Sequence, residues 1–391
     1  MKYNFDRGFN HEIKDSLKWN TVKKISDKQD IVPMWIADMD FETVPEVKKA
    51  IIERATQGIY GYSEMKDEYF ESLSEWTKKR YNWEIKKEWL CFSPGVVTGI
   101  NLAIRALTHP GDRVLIQTPV YSPFFGAVTK SGCELVSSSL KLVNGKYKMD
   151  FDDLEEKLTD ERTKIMVLCN PHNPVGRAWT RDELIKLGEI CIKNNIIVIS
   201  DEIHSDLVYK GYKYTPFASI SKEFEQNSII CTAPSKTFNL AGLQSSNIII
   251  PNENFRREYK IALENIEVSR LNVFGMVACE TAYKYGESWL EELLDYLEEN
   301  KELVKKRIEN RIPKLKLIEP EATYLLWIDC SGLGLNDEEL KKFMIEKAGI
   351  LLNDGSSFGE EGKGFQRMNI ACTKNTLEEA LNRLEKAVNS I

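Results

Sequence analysis

No stretch of this 391-residue chain approaches the roughly 18 consecutive apolar residues that a membrane-spanning helix needs, and Met1-Lys2-Tyr3-Asn4-Phe5-Asp6-Arg7 carries no apolar signal core. A soluble, cytoplasmic protein is the expectation. Positive charge is not in excess: 53 Lys and Arg against 60 Asp and Glu leave a formal net charge of −7, so nucleic acid is disfavoured as the main partner. No C-x-x-C occurs. The eight cysteines (Cys91, Cys133, Cys169, Cys191, Cys231, Cys279, Cys330, Cys372) are scattered, and runs such as Ile165-Met166-Val167-Leu168-Cys169 suggest buried thiols of a reducing compartment rather than disulfides or zinc ligands. No G-x-G-x-x-G follows a candidate strand; Gly332-Leu333-Gly334 and the 359–364 region both fail the pattern, which leaves a nicotinamide enzyme without support. Internal repeats, low-complexity tracts and flexible Gly/Ser linkers are also missing.

What is present is ordinary globular material. A length of two to three typical domains, with 42% hydrophobic and 29% charged residues, suffices for a sizeable core and excludes a disordered or fibrous chain. Between about 88 and 250, short apolar runs alternate with helix-like stretches, the pattern of a mostly parallel sheet covered by helices. Candidate strands are 89–92, 113–117, 164–169, 196–200, 228–232 and 247–250. A helix is expected over 181–194, with Thr180 as N-cap, Glu183 completing a capping box, and Leu184, Leu187, Ile190 and Cys191 on one face. Beyond 255 the texture becomes long and charged, with Trp289, Leu293, Leu297 and Val304 spaced for one face of a helix over 288–311. Pro313 and Pro320 bracket a junction, and apolar runs at 324–328 and 350–352 with a helical tail from Thr376 suit a smaller α+β domain.

Ligands of open α/β sheets bind at the carboxyl ends of strands, and four of these ends carry chemistry. The first leads into Ser93-Pro94-Gly95-Val96-Val97, a Gly turn opening a helix whose free N–H groups suit a phosphate. The second leads into Asn170-Pro171-His172-Asn173-Pro174-Val175-Gly176, and the third into Asp201-Glu202-Ile203-His204. The fourth leads into Ala233-Pro234-Ser235-Lys236-Thr237-Phe238. Each alone has an ordinary explanation: Asn173 satisfying its own turn, His204 filling a structural place, Gly95 serving the turn. A metal site is not expected without closely spaced His or Cys ligands. A lysine lodged between apolar segments is less ordinary, because desolvation lowers its pKa and frees the neutral amine for a Schiff base. Lysine, carboxylate, asparagine and phosphate cradle together match pyridoxal phosphate, which has an aldehyde, a ring nitrogen, a phenolic oxygen and a phosphate.

At these residues the chain resembles a fold type I pyridoxal-phosphate enzyme of the aspartate aminotransferase superfamily. More narrowly, it is similar to the bacterial cystathionine β-lyase or C–S lyase branch that includes the maltose-regulon modulator. The longest matching motifs are Met34-Trp35-Ile36-Ala37-Asp38-Met39-Asp40-Phe41, residues 170–177, Asp201-Glu202-Ile203-His204-Ser205-Asp206 and Ser235-Lys236-Thr237-Phe238-Asn239-Leu240-Ala241-Gly242-Leu243. The resemblance implies an α/β fold: a three-layer large domain with a mostly parallel sheet over 46–287, a small α+β domain over 288–391, and an N-terminal segment, 1–45, joining the small domain and the active-site entrance. It implies Lys236 as the Schiff-base lysine, Asp201 on the pyridinium nitrogen, and Asn173 on the phenolic oxygen and near the substrate. His204 stands where many aminotransferases place a tyrosine. Tyr121 would stack on the ring, as the third catalytic side chain. The amides of Val96 and Val97, with Ser235, would hold the phosphate, and Arg367 would clamp the substrate α-carboxylate. Tyr62 would reach across a homodimer interface to the neighbouring subunit's phosphate.

One departure stands out. Eight residues after the lysine, where many aminotransferases carry a phosphate-binding arginine, this chain has Gln244. The expected reaction is therefore α,β-elimination of thioether or cysteine-like amino acids to thiol, pyruvate and ammonia. An aminotransferase of class I/II is the alternative, and a regulatory interaction protein retaining the cofactor a third reading. The sequence does not rank cystathionine, cysteine, cystine or other sulfur and selenium conjugates.

Overall fold

The computed structural model describes residues 2–7, 15–25, 30–268 and 270–391. Seven strands build its main sheet: β1 (Leu90–Ser93), β2 (Arg113–Thr118), β3 (Glu134–Ser139), β4 (Thr163–Cys169), β5 (Ile197–Asp201), β6 (Ser228–Thr232) and β7 (Ser246–Ile249), in the order β1-β7-β6-β5-β4-β2-β3. Every neighbouring pair is parallel except those of β7, which runs against both β1 and β6. All strands but β7 therefore end at the same edge. The central strands are buried on both faces, as their apolar runs require. Along β2, Val114 and Ile116 belong to one core cluster and Leu115 to the other; Ile165 and Val167 against Met166 and Leu168 repeat this on β4.

Helices cover the two faces. Among the helices of the chain are α1 (Pro45–Thr56), α2 (Asp67–Tyr81), α3 (Val96–Leu107), α4 (Arg181–Lys193), α5 (Val273–Tyr285), α6 (Glu287–Arg311) and α7 (Lys374–Val388). Ile100, Ala103 and Ile104 of α3 pack in one cluster, Leu184, Leu187 and Cys191 of α4 in the other. The capping box expected at Thr180 and Glu183 is formed, each side chain accepting from the other's backbone N–H.

A second sheet of four antiparallel strands follows α6: β8 (Lys316–Ile318), β9 (Leu325–Asp329), β10 (Asn353–Asp354) and β11 (Phe365–Asn369), in the order β8-β9-β11-β10. The pair Val32–Pro33 lies parallel to Ile350–Leu351, so an early segment of the chain is tied to the one that leads into β10. The expected α/β class with a mostly parallel sheet holds. Three details differ. Trp89 sits in a helical turn, Lys87–Trp89, and its strand starts one residue later. The strand placed at 247–250 begins at Ser246 and is antiparallel. The edge strand β3 escaped the sequence reading because Glu134–Ser139, half Ser, lacks the apolar run of a central strand. All eight cysteines are free and buried, and among the described residues no helix is long and apolar enough to cross a membrane.

Tight packing between α4 and the short helix Lys222–Gln226 gives a direct check. A Cβ on Gly188 would stand 2.3 Å from the Phe224 ring, which is itself stacked on Phe217 at 5.1 Å. Gly188→Ala gains helix propensity, yet the overlap should leave a net loss of about 1–2 kcal/mol. Urea unfolding measures it, and an unshifted midpoint would mean that the ring moves aside freely.

Candidate active site

The strand edge gathers the groups that the sequence placed there. A cavity of about 200 Å³ is lined by Val96, Val97, Tyr121, Asn173, Asp201, His204, Ser235 and Lys236, together with Ala37, Thr98, Cys169, Gln244 and Ser245. Asp201 ends β5 and Cys169 ends β4, in register with each other. Lys236 lies in the helical turn Pro234–Thr237 just beyond β6.

Burial dominates the electrostatics. Asp201 is enclosed, and desolvation lifts its carboxyl from 3.8 to about 7, opposed by the Ile203 N–H, which donates to Oδ1 at 3.1 Å, and by the charge of Lys236. Desolvation brings the Lys236 amine down to about 8; Asp38 pulls upward, Arg367 pushes further down and Asp201 pulls upward. His204 is held neutral, its pKa lowered to about 3 first by burial and then by the cations Lys236 and Arg367. Its ring meets Tyr324 edge to face at 6.2 Å.

Arg367 reaches this site from β11. It is buried, its guanidinium donating from one terminal nitrogen to Asn173 Oδ1 at 3.0 Å and from the other to the Trp35 carbonyl at 2.9 Å, while Nε has no acceptor among the described residues. Burial lowers its pKa to about 10. The Asn173 loop is tied to the one after β2 by the Tyr121 N–H, which donates to the Asn173 carbonyl at 3.1 Å, and burial raises the Tyr121 hydroxyl above its ordinary value.

The segment Trp35–Phe41 straps the site, and its carbonyls explain why that motif is so long. Lys236 Nζ and the Tyr324 hydroxyl donate to Ala37 O, Asn369 Nδ2 to Ile36 O and Asp38 O, and Asn239 Nδ2 to Met39 O and Phe41 O. The strap is latched by the buried Lys18, 2.8 Å from Asp40 and 3.8 Å from Asp38.

Pyridoxal phosphate fits these residues. At one end α3 follows Gly95, an N-cap that supplies no side-chain hydrogen bond, so its first N–H groups, with the Ser235 and Ser245 hydroxyls, offer donors to an anion. Ser245 Oγ and His204 Nδ1 are buried in the lining without a partner among the described residues. At the other end the Asp201 carboxyl accepts from an amide rather than from a cation, which leaves it matched to a protonated ring nitrogen.

Of the residues expected at the site, Arg367 is not in the cavity lining and joins it through its hydrogen bond to Asn173, and Tyr62 lies outside it. It is 96% exposed, the most open of the large hydrophobic side chains among the described residues, and the Arg270 guanidinium sits over its ring at 4.9 Å. Ala37, Thr98, Cys169 and Ser245 were missed as lining residues. Thr98 follows Val97 within the first turn of α3, and Cys169 is the last residue of an identified strand, so both were findable. Ser245 precedes β7, whose reversed direction brings its beginning to the edge where the other strands end.

The family described as aminotransferase class I and II matches residues 29–384 of the chain. Cystathionine beta-lyase PatB of Bacillus subtilis is 42% identical over 98% of this chain and 100% of its own length. Among solved structures, a PLP-bound candidate aminotransferase from Clostridium difficile 630 has a TM-score of 0.97 at 49% identity, covering 99% of this chain and 100% of that one. The PLP-bound C–S lyase from Staphylococcus hominis has a TM-score of 0.93 at 35% identity, covering 99% and 98%.

The raised carboxyl at 201 has a consequence for stability. Between 3.8 and about 7 the folded chain binds a proton there that the unfolded chain has lost, so this group costs stability as pH rises through that window, and the cost is complete above it. In protein freed of cofactor, Asp201→Asn should therefore raise the thermal midpoint at pH 8 and leave it nearly unchanged at pH 4. An equal effect at both values would contradict the assigned burial of charge.

Proposed function

Because the chain belongs to the aminotransferase class I and II family, we propose that it is a pyridoxal-phosphate-dependent C–S lyase of the cystathionine β-lyase type. It converts a thioether or cysteine-like amino acid and water to thiol, pyruvate and ammonia. The observation that carries this reading is the pairing of an enclosed amine and an enclosed acid, Lys236 and Asp201, at adjacent strand ends in a cavity that opens on an uncapped helix N-terminus.

When bound, pyridoxal phosphate supplies the electron sink that makes the substrate's α-proton removable. The protein's residues do the rest. Lys236 Nζ, brought near neutrality by burial, holds the cofactor and takes the α-proton. Asp201 keeps a proton on the ring nitrogen, its carboxylate being stabilised by that charge. The guanidinium of Arg367, which donates to Asn173 and Trp35 O from its two terminal nitrogens, grips the substrate carboxylate. Neutral His204 and Asn173 orient the cofactor oxygen without adding charge. The amides of Val96 and Val97, with Ser235, hold the phosphate, and Tyr121 covers the ring.

Elimination is favoured over transamination by Gln244, a neutral side chain in the cavity lining, and by the lyase relatives. The working form is a cytoplasmic homodimer in which Tyr62 completes the partner's phosphate site. Its exposure supports this, as do the neighbouring exposed Ile59 and Tyr60. The domains are divided as read from the sequence, 46–287 and 288–391, with 1–45 at the entrance.

Purified protein incubated with cystathionine or S-methylcysteine should release pyruvate and thiol, and with cystine pyruvate and a persulfide, without any keto acid. A strict requirement for 2-oxoglutarate would make it an aminotransferase instead. Lys236→Ala should abolish both turnover and the visible absorbance of the bound cofactor. Arg367→Ala removes the cation that grips the substrate carboxylate, where charge-assisted hydrogen bonds are worth about 1.5–3 kcal/mol each. KM should rise at least ~50-fold with cofactor retained; a loss of cofactor alone would place Arg367 elsewhere.

A further inference from the structure

Three acids stand within six residues at the end of β5 and in the loop after it: Asp201, Glu202 and Asp206. Only the first lines the cavity. Glu202 turns into the core, where Ser200 Oγ at 2.8 Å, the Phe217 N–H at 3.0 Å and the Tyr214 hydroxyl all donate to it. Asp206 is buried too, and its carboxylate is surrounded. Oδ1 accepts from Trp76 Nε1 at 3.0 Å and from the Tyr81 hydroxyl and lies 3.3 Å from Arg80 Nε. Oδ2 accepts from Thr237 Oγ1 at 2.8 Å.

Those four partners come from two places. Trp76, Arg80 and Tyr81 occupy the last turns of α2, a helix that contributes nothing to the cavity lining. Thr237 is the residue after Lys236, fully buried, in the turn that the Phe238 N–H closes by donating to Pro234 O at 2.9 Å. A buried carboxylate is stable only with its lone pairs occupied, so Asp206 has little freedom to move, and a side chain bonded to it is fixed to the same degree. Lysine itself has a long, flexible stem, and proton transfer is sensitive to its placement by less than an ångström.

We infer that Asp206 is a positioning residue for Lys236, holding the turn beneath the amine through its hydrogen bond with Thr237 Oγ1 and anchoring that turn to the end of α2. The inference rests on the reading of Lys236 as the reacting amine. The two ends of the motif after β5 then divide the work, Asp201 facing the cofactor and Asp206 the support of the lysine.

The test uses the full-length holoenzyme with Thr237→Val, Thr237→Ser and Asp206→Asn. Thr237→Val removes the hydroxyl and keeps the branched shape. It should lower kcat at least ~10-fold with KM changed less than about twofold, and weaken the circular dichroism of the bound cofactor's visible band. Thr237→Ser restores the hydroxyl and should return kcat to within about threefold of the parent together with the dichroism. Asp206→Asn should resemble Thr237→Val; if it fails to fold, the Thr237 pair decides the matter alone. Full kcat and unchanged dichroism in Thr237→Val overturn the proposal, as does an equal loss in Thr237→Val and Thr237→Ser, which would point to packing of the methyl group. A colourless parent, or a Lys236→Ala variant that still turns over, overturns instead the reading of Lys236 on which this one stands.

Discussion

Burial of an amine and an acid in one cavity at the carboxyl edge of the main sheet is the constraint on which the candidate site depends. Isolated in water, a lysine amine and an aspartate carboxyl titrate about six units apart. Here the same desolvation acts on both with opposite sign, bringing the amine to about 8 and the acid to about 7. Neither group is neutralised by direct contact with the other. The amine rests on a backbone carbonyl and the acid on a backbone amide, so both keep their capacity for a ligand that brings the complementary charges.

Burying these groups while holding their polar atoms in place requires contributions from distant parts of the chain. The parallel sheet supplies Cys169 and Asp201 at its edge and Lys236 just past it. The antiparallel sheet supplies Arg367 through β11, and the N-terminal strap crosses between them, its carbonyls occupied by donors from both. Buried charge elsewhere ties the same parts together. Arg177, at the end of the Asn173 loop, donates from Nε to Glu321 Oε2 at 2.9 Å, and the Glu321 N–H donates to Gly176 O at 2.8 Å. Breaking such a pair strands a desolvated ion, which makes the loop and the segment leading into β9 effectively one piece.

Much of the site was legible in the sequence because α/β sheets place function where strands stop. Asn173, Asp201, Ser235 and Lys236 each follow an apolar run within a few residues, and an enzyme needing all four in one place leaves a readable spacing. Arg367 was legible only by resemblance, since nothing local distinguishes it from a surface arginine; what buries it is β9 and β10 on either side. Ser245 was hidden by the reversal of β7, and Ala37 because it contributes a carbonyl, which every residue has. Tyr62 lies on the open surface with Arg270, so nothing within a single chain gives its ring a place at the cavity.

Most central strands, the capping box of α4 and the class of the fold follow from the order of residues alone, because each is decided by neighbours a few positions away. Which groups become desolvated, and hence which change their proton affinity, was settled only by the packing of segments as far apart in the chain as Arg367 and Trp35, 332 residues distant. Local sequence sets what a side chain is able to do; the dielectric around it is a property of everything folded against it.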